Sequence, residues 1–172
     1  MKFRTSFSLL IILLVAISLL TTRPASAVAP DHGPSAFGQG AFSFFTGFRN
    51  EDWTYSFEAT ANKNGRAHGR AIFDIVDTIM QTQTHVVVKI NCFNVESSPG
   101  SVSASIKGTV LQSDNPEFPK GAHVVFGAAD NSSPFLLQDI ITRLFAFEVD
   151  CRDFAFPLTI FFQNPDAIHI EP

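Results

Sequence analysis

A side-chain alternation of period two constrains this chain more than any other feature. From Trp53 to Ala61, the residues Trp53, Tyr55, Phe57 and Ala59 alternate with Thr54, Ser56, Glu58 and Thr60. Successive side chains of a strand point to opposite faces, so the pattern gives one apolar face and one polar face. The same period runs through Gly69 to Ile75, His85 to Asn91 and Ser101 to Leu111, with shorter candidates at 41–48, 122–128, 144–150, 158–162 and 167–170. Turn chemistry separates the runs. Asn62-Lys63-Asn64-Gly65 is a hairpin signal because Asn and Gly tolerate positive φ, and Ser97-Ser98-Pro99-Gly100, the double-proline stretch 114–121 and Asp130 to Pro134 punctuate the rest. The spacing predicts an all-β fold, an antiparallel barrel or sandwich of about eight to nine short strands. Phe135, Leu136, Ile140 and Ile141 depart from period two and suggest one short helix near 134–143.

Phenylalanine fills the apolar positions: the chain has 19 Phe against one Tyr and one Trp. Phe carries no polar atom, whereas recognition faces favour the rings with a polar handle. The excess speaks for a core or an apolar cavity. Small barrels of about eight strands can hold one apolar ligand. The candidate pocket residues are Phe44, Phe45, Trp53, Tyr55, Phe57, Phe73, Phe126, Phe145, Phe147, Phe161 and Phe162. The doublets Phe44-Phe45 and Phe161-Phe162 put adjacent rings on opposite faces of any strand, so one ring of each must find cover outside the main core.

The start of the chain has the pattern of a signal peptide over residues 1–27. Lys2 and Arg4 precede an apolar run from Phe7 to Leu20, and Ala25-Ser26-Ala27 supplies the small-x-small cleavage pattern. The apolar run is shorter than the roughly 20 residues of a membrane-spanning helix. Residues 28–40, rich in Pro, Gly and Ala, read as a flexible N-terminal segment before a single β domain at 41–172. Of the 12 basic residues, Lys2, Arg4 and Arg23 lie in the leader, which leaves nine against 16 acids. An acidic domain repels phosphate backbones and anionic lipid, so no nucleic-acid partner is expected. Short strands and the near absence of Trp and Tyr girdles argue against an outer-membrane barrel. The even cysteine pair, Cys92 and Cys151, is expected to form a disulfide in a secreted or periplasmic protein.

Catalytic and metal motifs are missing from the sequence, and no cofactor is implied. None of His32, His68, His85, His123 and His169 shares a metal-ligand spacing, and there is no G-x-S-x-G. A spatial group of His85, His123 and Asp74 is the one catalytic constellation worth testing. Lys63, Arg66 and Arg70 surround the Asn-Gly turn, which reads as a charged hairpin tip or an anion-binding one. The leading expectation is an exported, non-enzymatic β-domain with a structural or interaction role. The alternatives are a carrier of a small apolar ligand in a Phe-lined cavity and a small β-barrel enzyme acting on an apolar substrate.

The stretch Val88-Lys89-Ile90-Asn91-Cys92-Phe93-Asn94-Val95, with Ser103 to Val110 after it, resembles a module of small secreted bacterial β-rich proteins. The linker Asn115 to Gly121 followed by His123-Val124-Val125-Phe126, and the closing Ala167-Ile168-His169-Ile170, are similar to the same proteins. The resemblance implies a β fold and bacterial export. It carries no catalytic residue.

Overall fold

The computed structural model describes residues 33–45, 47–62, 64–131, 138–146, 148, 150–154, 160–164 and 166–172. The leader, Lys63 and Phe147 lie outside the described residues. Nine antiparallel strands form one curled sheet, a half-barrel: β1 (Ser35–Phe45), β2 (Asn50–Ala61), β3 (Ala67–Asp77), β4 (Thr82–Ser98), β5 (Ser101–Ser113), β6 (His123–Asp130), β7 (Ile140–Thr142), β8 (Ile160–Phe162) and β9 (Ile168–Glu171). The order β8-β7-β6-β5-β4-β3-β2-β1-β9 is a meander whose last strand returns to pair with the first. Both edge strands therefore come from residues 160–171.

The alternation read from the sequence is the inside–outside pattern of the sheet. Trp53, Tyr55, Phe57 and Ala59 are buried, while Thr54, Ser56 and Glu58 are exposed. The inner faces of β1 to β7 share one core, in which Trp53, Phe73, Phe126, Ile90 and Ile106 are almost completely buried. Removing a ring such as Phe126 from such a core costs about 3–5 kcal/mol, because the cavity left behind adds to the lost transfer energy.

Three expectations are corrected. β1 begins at Ser35, inside the segment expected to be flexible, and pairs with β2 from Ser35↔Thr60 to Phe45↔Asn50. No helix forms over the described part of 134–143; Ile140–Thr142 is strand β7, paired with β6 and β8, so those isoleucines are strand residues. The strands are also longer than expected: β1 to β5 run 11 to 17 residues. The length argument against a membrane barrel therefore lapses. What the structure shows instead is an apolar inner face and a polar outer face on β2, the reverse of the arrangement that a lipid-embedded barrel needs. No helix among the described residues is long and apolar enough to cross a membrane.

Side chains finish the closure that backbone ladders leave open. Ile168 and Ile170 point their N–H groups away from β1, and carboxylates accept them: Asp139 Oδ2 at 2.8 Å and Asp130 Oδ2 at 3.2 Å. Phe161 of β8 stacks on Phe42 of β1 with ring centroids 4.0 Å apart. After β7 the chain stays paired with β6 at Phe145, and its described residues Cys151 to Phe154 then form a strap against β4 and β5. Phe145 and Val125 exchange two backbone hydrogen bonds at 2.9 Å, and Ser105 Oγ donates to the carbonyl of Phe154 at 3.3 Å. The disulfide Cys92–Cys151, with Cα atoms 6.0 Å apart, pins the strap to β4. This cover explains why Val125 is fully buried although it faces away from the core cluster.

Candidate functional site

The rings proposed as pocket lining divide by position. Trp53, Tyr55, Phe57, Phe73 and Phe126 are buried in the interior, joined there by Phe42 and Phe118. Neighbouring rings pack edge-on or stacked, with centroids 5.3 Å apart for Phe73–Phe126, 5.4 Å for Phe57–Phe126 and 6.2 Å for Trp53–Phe73. Phe44 and Phe161 meet edge-to-face at the seam, and the Arg143 guanidinium lies 5.1 Å from the centroid of Phe44. Phe145 is half-buried beside β6, away from the interior rings and 6.3 Å from Phe154 of the strap. The doublets behave as expected on one side only: Phe45 and Phe162 stay 70 % and 54 % exposed. Rings packed against rings are a filled core, and this packing lends no support to an apolar carrier cavity.

Three polar groups sit inside with partners. Trp53 Nε1–H donates to Glu51 Oε2 at 2.9 Å, and Tyr55 O–H donates to Gln163 Oε1 at 3.1 Å. Burial pushes the Tyr55 hydroxyl well above its ordinary pKa, and the charge of Asp139 adds to the effect. The Asp139 carboxyl is raised by its own burial, against the lowering effect of the hydrogen bonds from Ile168 and Asn131.

The catalytic constellation is only half assembled. Asp74 and His85 are directly opposite on β3 and β4, with His85 Nδ1 and Asp74 Oδ1 2.6 Å apart. His123 lies on β6 beside Thr109, so it does not join them. Cys92, Asp150 and Cys151 place three candidate metal-ligand atoms within 4.8 Å, but the disulfide occupies both sulfurs. By sequence alone, Arg70 belongs with Arg66 at the hairpin tip. The structure places Arg70 four residues into β3, on the outer face of the sheet.

That outer face carries a cleft of about 570 Å³. Its position follows from the register: Phe37, Glu58 and Arg70 are cross-strand neighbours on β1, β2 and β3. Phe37 and Ile72 give it apolar walls, Gln39 and Ser56 a polar floor, and Glu58, Arg70 and Asp166 its charges. The Gln39 N–H bond to the Ala167 carbonyl, 3.1 Å, holds the wall that bears Asp166 against β1. Asp166 has φ of 64°, a left-handed conformation that Asp tolerates better than most residues. Among the described residues, the side chains of Glu58, Arg70 and Asp166 have no hydrogen-bond or ion-pair partner. Sequence reasoning missed this site. Phe37 and Gln39 lay in a segment read as flexible, and the sequence signals only their alternation with glycine. A second cleft of about 210 Å³, lined by Glu51, Asp77, Thr82, Thr84 and Glu117, opens at the end of the sheet where β1 turns into β2.

No family model matches the chain, and no curated protein or solved structure matches it significantly.

Proposed function

We propose that this protein is an exported β-domain that works by binding, with the outer cleft between Phe37 and Arg70 as its recognition surface. One observation carries the reading. Three charged side chains without internal partners surround an exposed ring in a volume suited to a small ligand or a short segment of a larger one. The chemistry asks for a partner with an apolar part against Phe37 and Ile72. It also asks for an acidic group for Arg70, whose guanidinium binds carboxylates bidentately, and for donors that Glu58 and Asp166 can accept. Export is supported by the leader pattern at residues 1–27, with which the disulfide is compatible. On this reading the chain joins the small exported bacterial β-rich proteins that its strand-and-turn motifs resemble.

Native mass spectrometry of the exported protein tests the assignment. The expected result is a bound species that is lost in both Phe37→Ser and Arg70→Ala, with Val28 as the first residue of the chain. A species retained in both variants would place binding elsewhere and sink the proposal.

A further inference from the structure

The exposed apolar side chains are gathered at one end of the sheet. Five of the nine large apolar residues exposed among the described residues belong to two neighbouring hairpin ends: Phe45 (70 %), Phe48 (89 %), Val76 (37 %), Ile79 (54 %) and Met80 (66 %). The register puts these hairpins side by side. Asn50 and Thr78 lock them with a side-chain bond of 2.8 Å and a backbone bond of 2.8 Å. The two hairpins are therefore tied to each other at their bases. At the opposite end, the described residues of the 62–66 and 98–101 turns, Gly33 and the C-terminal Pro172 include none of these nine, and Phe37, third in β1, lines the outer cleft on the flank. The 11 residues of β1 separate the two ends by roughly 36 Å, so Gly33 lies far from the tips.

From this polarity we infer that the Phe48 and Met80 end inserts into a zwitterionic lipid surface. Phe48 and Met80 stand at the ends of hairpins, with the second cleft beside Met80, and exposed apolar side chains at such an end need a deformable apolar phase or a surface of matching shape. The surrounding charge decides which membrane. Exposed Asp52, Asp114 and Glu117 outnumber Arg49 and Lys120, and Arg49 is already bound to Glu117. Such a collar repels an anionic surface and complements the outward ammonium groups of zwitterionic headgroups. The outer cleft lies on the flank of β1 to β3, so insertion of this end leaves it open. Binding by a few side chains is reversible, as shallow interfacial anchoring is.

The test uses the exported protein with Phe48→Trp, an 89 % exposed position where a larger ring is tolerated, and Arg66→Trp at the polar end. Trp53 is buried and gives both variants the same background. With phosphatidylcholine vesicles, the Phe48→Trp signal should shift to the blue and be quenched by brominated acyl chains, while Arg66→Trp should not change. The double variant Phe48→Ser, Met80→Ser should partition at least about tenfold more weakly. Three results would overturn the inference. One is vesicle binding without quenching in Phe48→Trp. Another is binding that requires phosphatidylglycerol. The third is a Phe48→Trp shift that grows with protein concentration in the absence of lipid, which would make a second copy the occupant.

Discussion

The carboxylate of Asp139 accepts the backbone N–H of Ile168 at 2.8 Å, across 29 positions of sequence. Its other oxygen accepts the Asn131 N–H at 3.2 Å, and its own carbonyl accepts the Gln163 N–H at 2.7 Å. One residue, 2 % exposed, thus joins the end of β6, the chain after β8 and the start of β9. It does at the seam what a backbone ladder does elsewhere in the sheet. Asp139→Ala strands two buried N–H groups, each costing about 1–3 kcal/mol. The variant should lose about 2–5 kcal/mol in urea denaturation, a large share of the stability of a domain this size.

No sequence signal marked this acid. It stands in the apolar run Phe135 to Ile141, where its neighbours suggested a helix rather than a seam. What was legible is what period two controls. β2 and β3 alternate cleanly because each lies against the core with one face, and the Asn62 turn does take up positive φ at Gly65. β4 was seen only as His85 to Asn91. An irregularity between Ile90 and Cys92 shifts its register, which breaks the alternation in a 17-residue strand. β1 was read late because its inward positions 38 and 40 are glycine, with Phe57 and Tyr55 filling the space opposite. The cleft was illegible for the same reason, since it depends on the register between β1, β2 and β3.

The raised pKa values of Asp139 and Tyr55 set the direction of the pH dependence. Each folded acid holds its proton more tightly than its unfolded counterpart. As pH rises past the unfolded value, about 3.9 for Asp and about 10 for Tyr, the unfolded chain releases its proton first, so stability falls. Chemical denaturation should show a decline above about pH 4 that is absent in Asp139→Asn, and a second decline above about pH 10 that is absent in Tyr55→Phe. A rise in stability across either window would contradict the burial assigned to that group.

The disulfide closes a separation of 59 residues, and it holds a strap rather than the core. Cys92→Ser should cost about 2–5 kcal/mol. Its local signature is more specific than its size. The paired amides of Val125 and Phe145 should exchange with solvent much faster in the variant, while the buried amides of β2 and β3 keep their protection. The intact protein should also be about 2 Da lighter than its reduced form, as one closed S–S bond requires.

Gly40 is required for space, not for backbone freedom. A Cβ at that position would press on the Tyr55 hydroxyl and on Gln163 Oε1, the two atoms that share a hydrogen bond at 3.1 Å. Gly40→Ala should therefore cost about 1–3 kcal/mol through overpacking. Tyr55→Phe should cost about 1 kcal/mol through the lost bond. The two changes act on the same few cubic ångströms, because removing the hydroxyl makes room for the methyl group. The double variant should be more stable than the sum of the single losses implies, by an interaction of about 0.5 kcal/mol or more in a double-mutant cycle. Strict additivity would mean that the methyl is accommodated elsewhere, and that the contact between β1 and the interior at Tyr55 is looser than the geometry indicates.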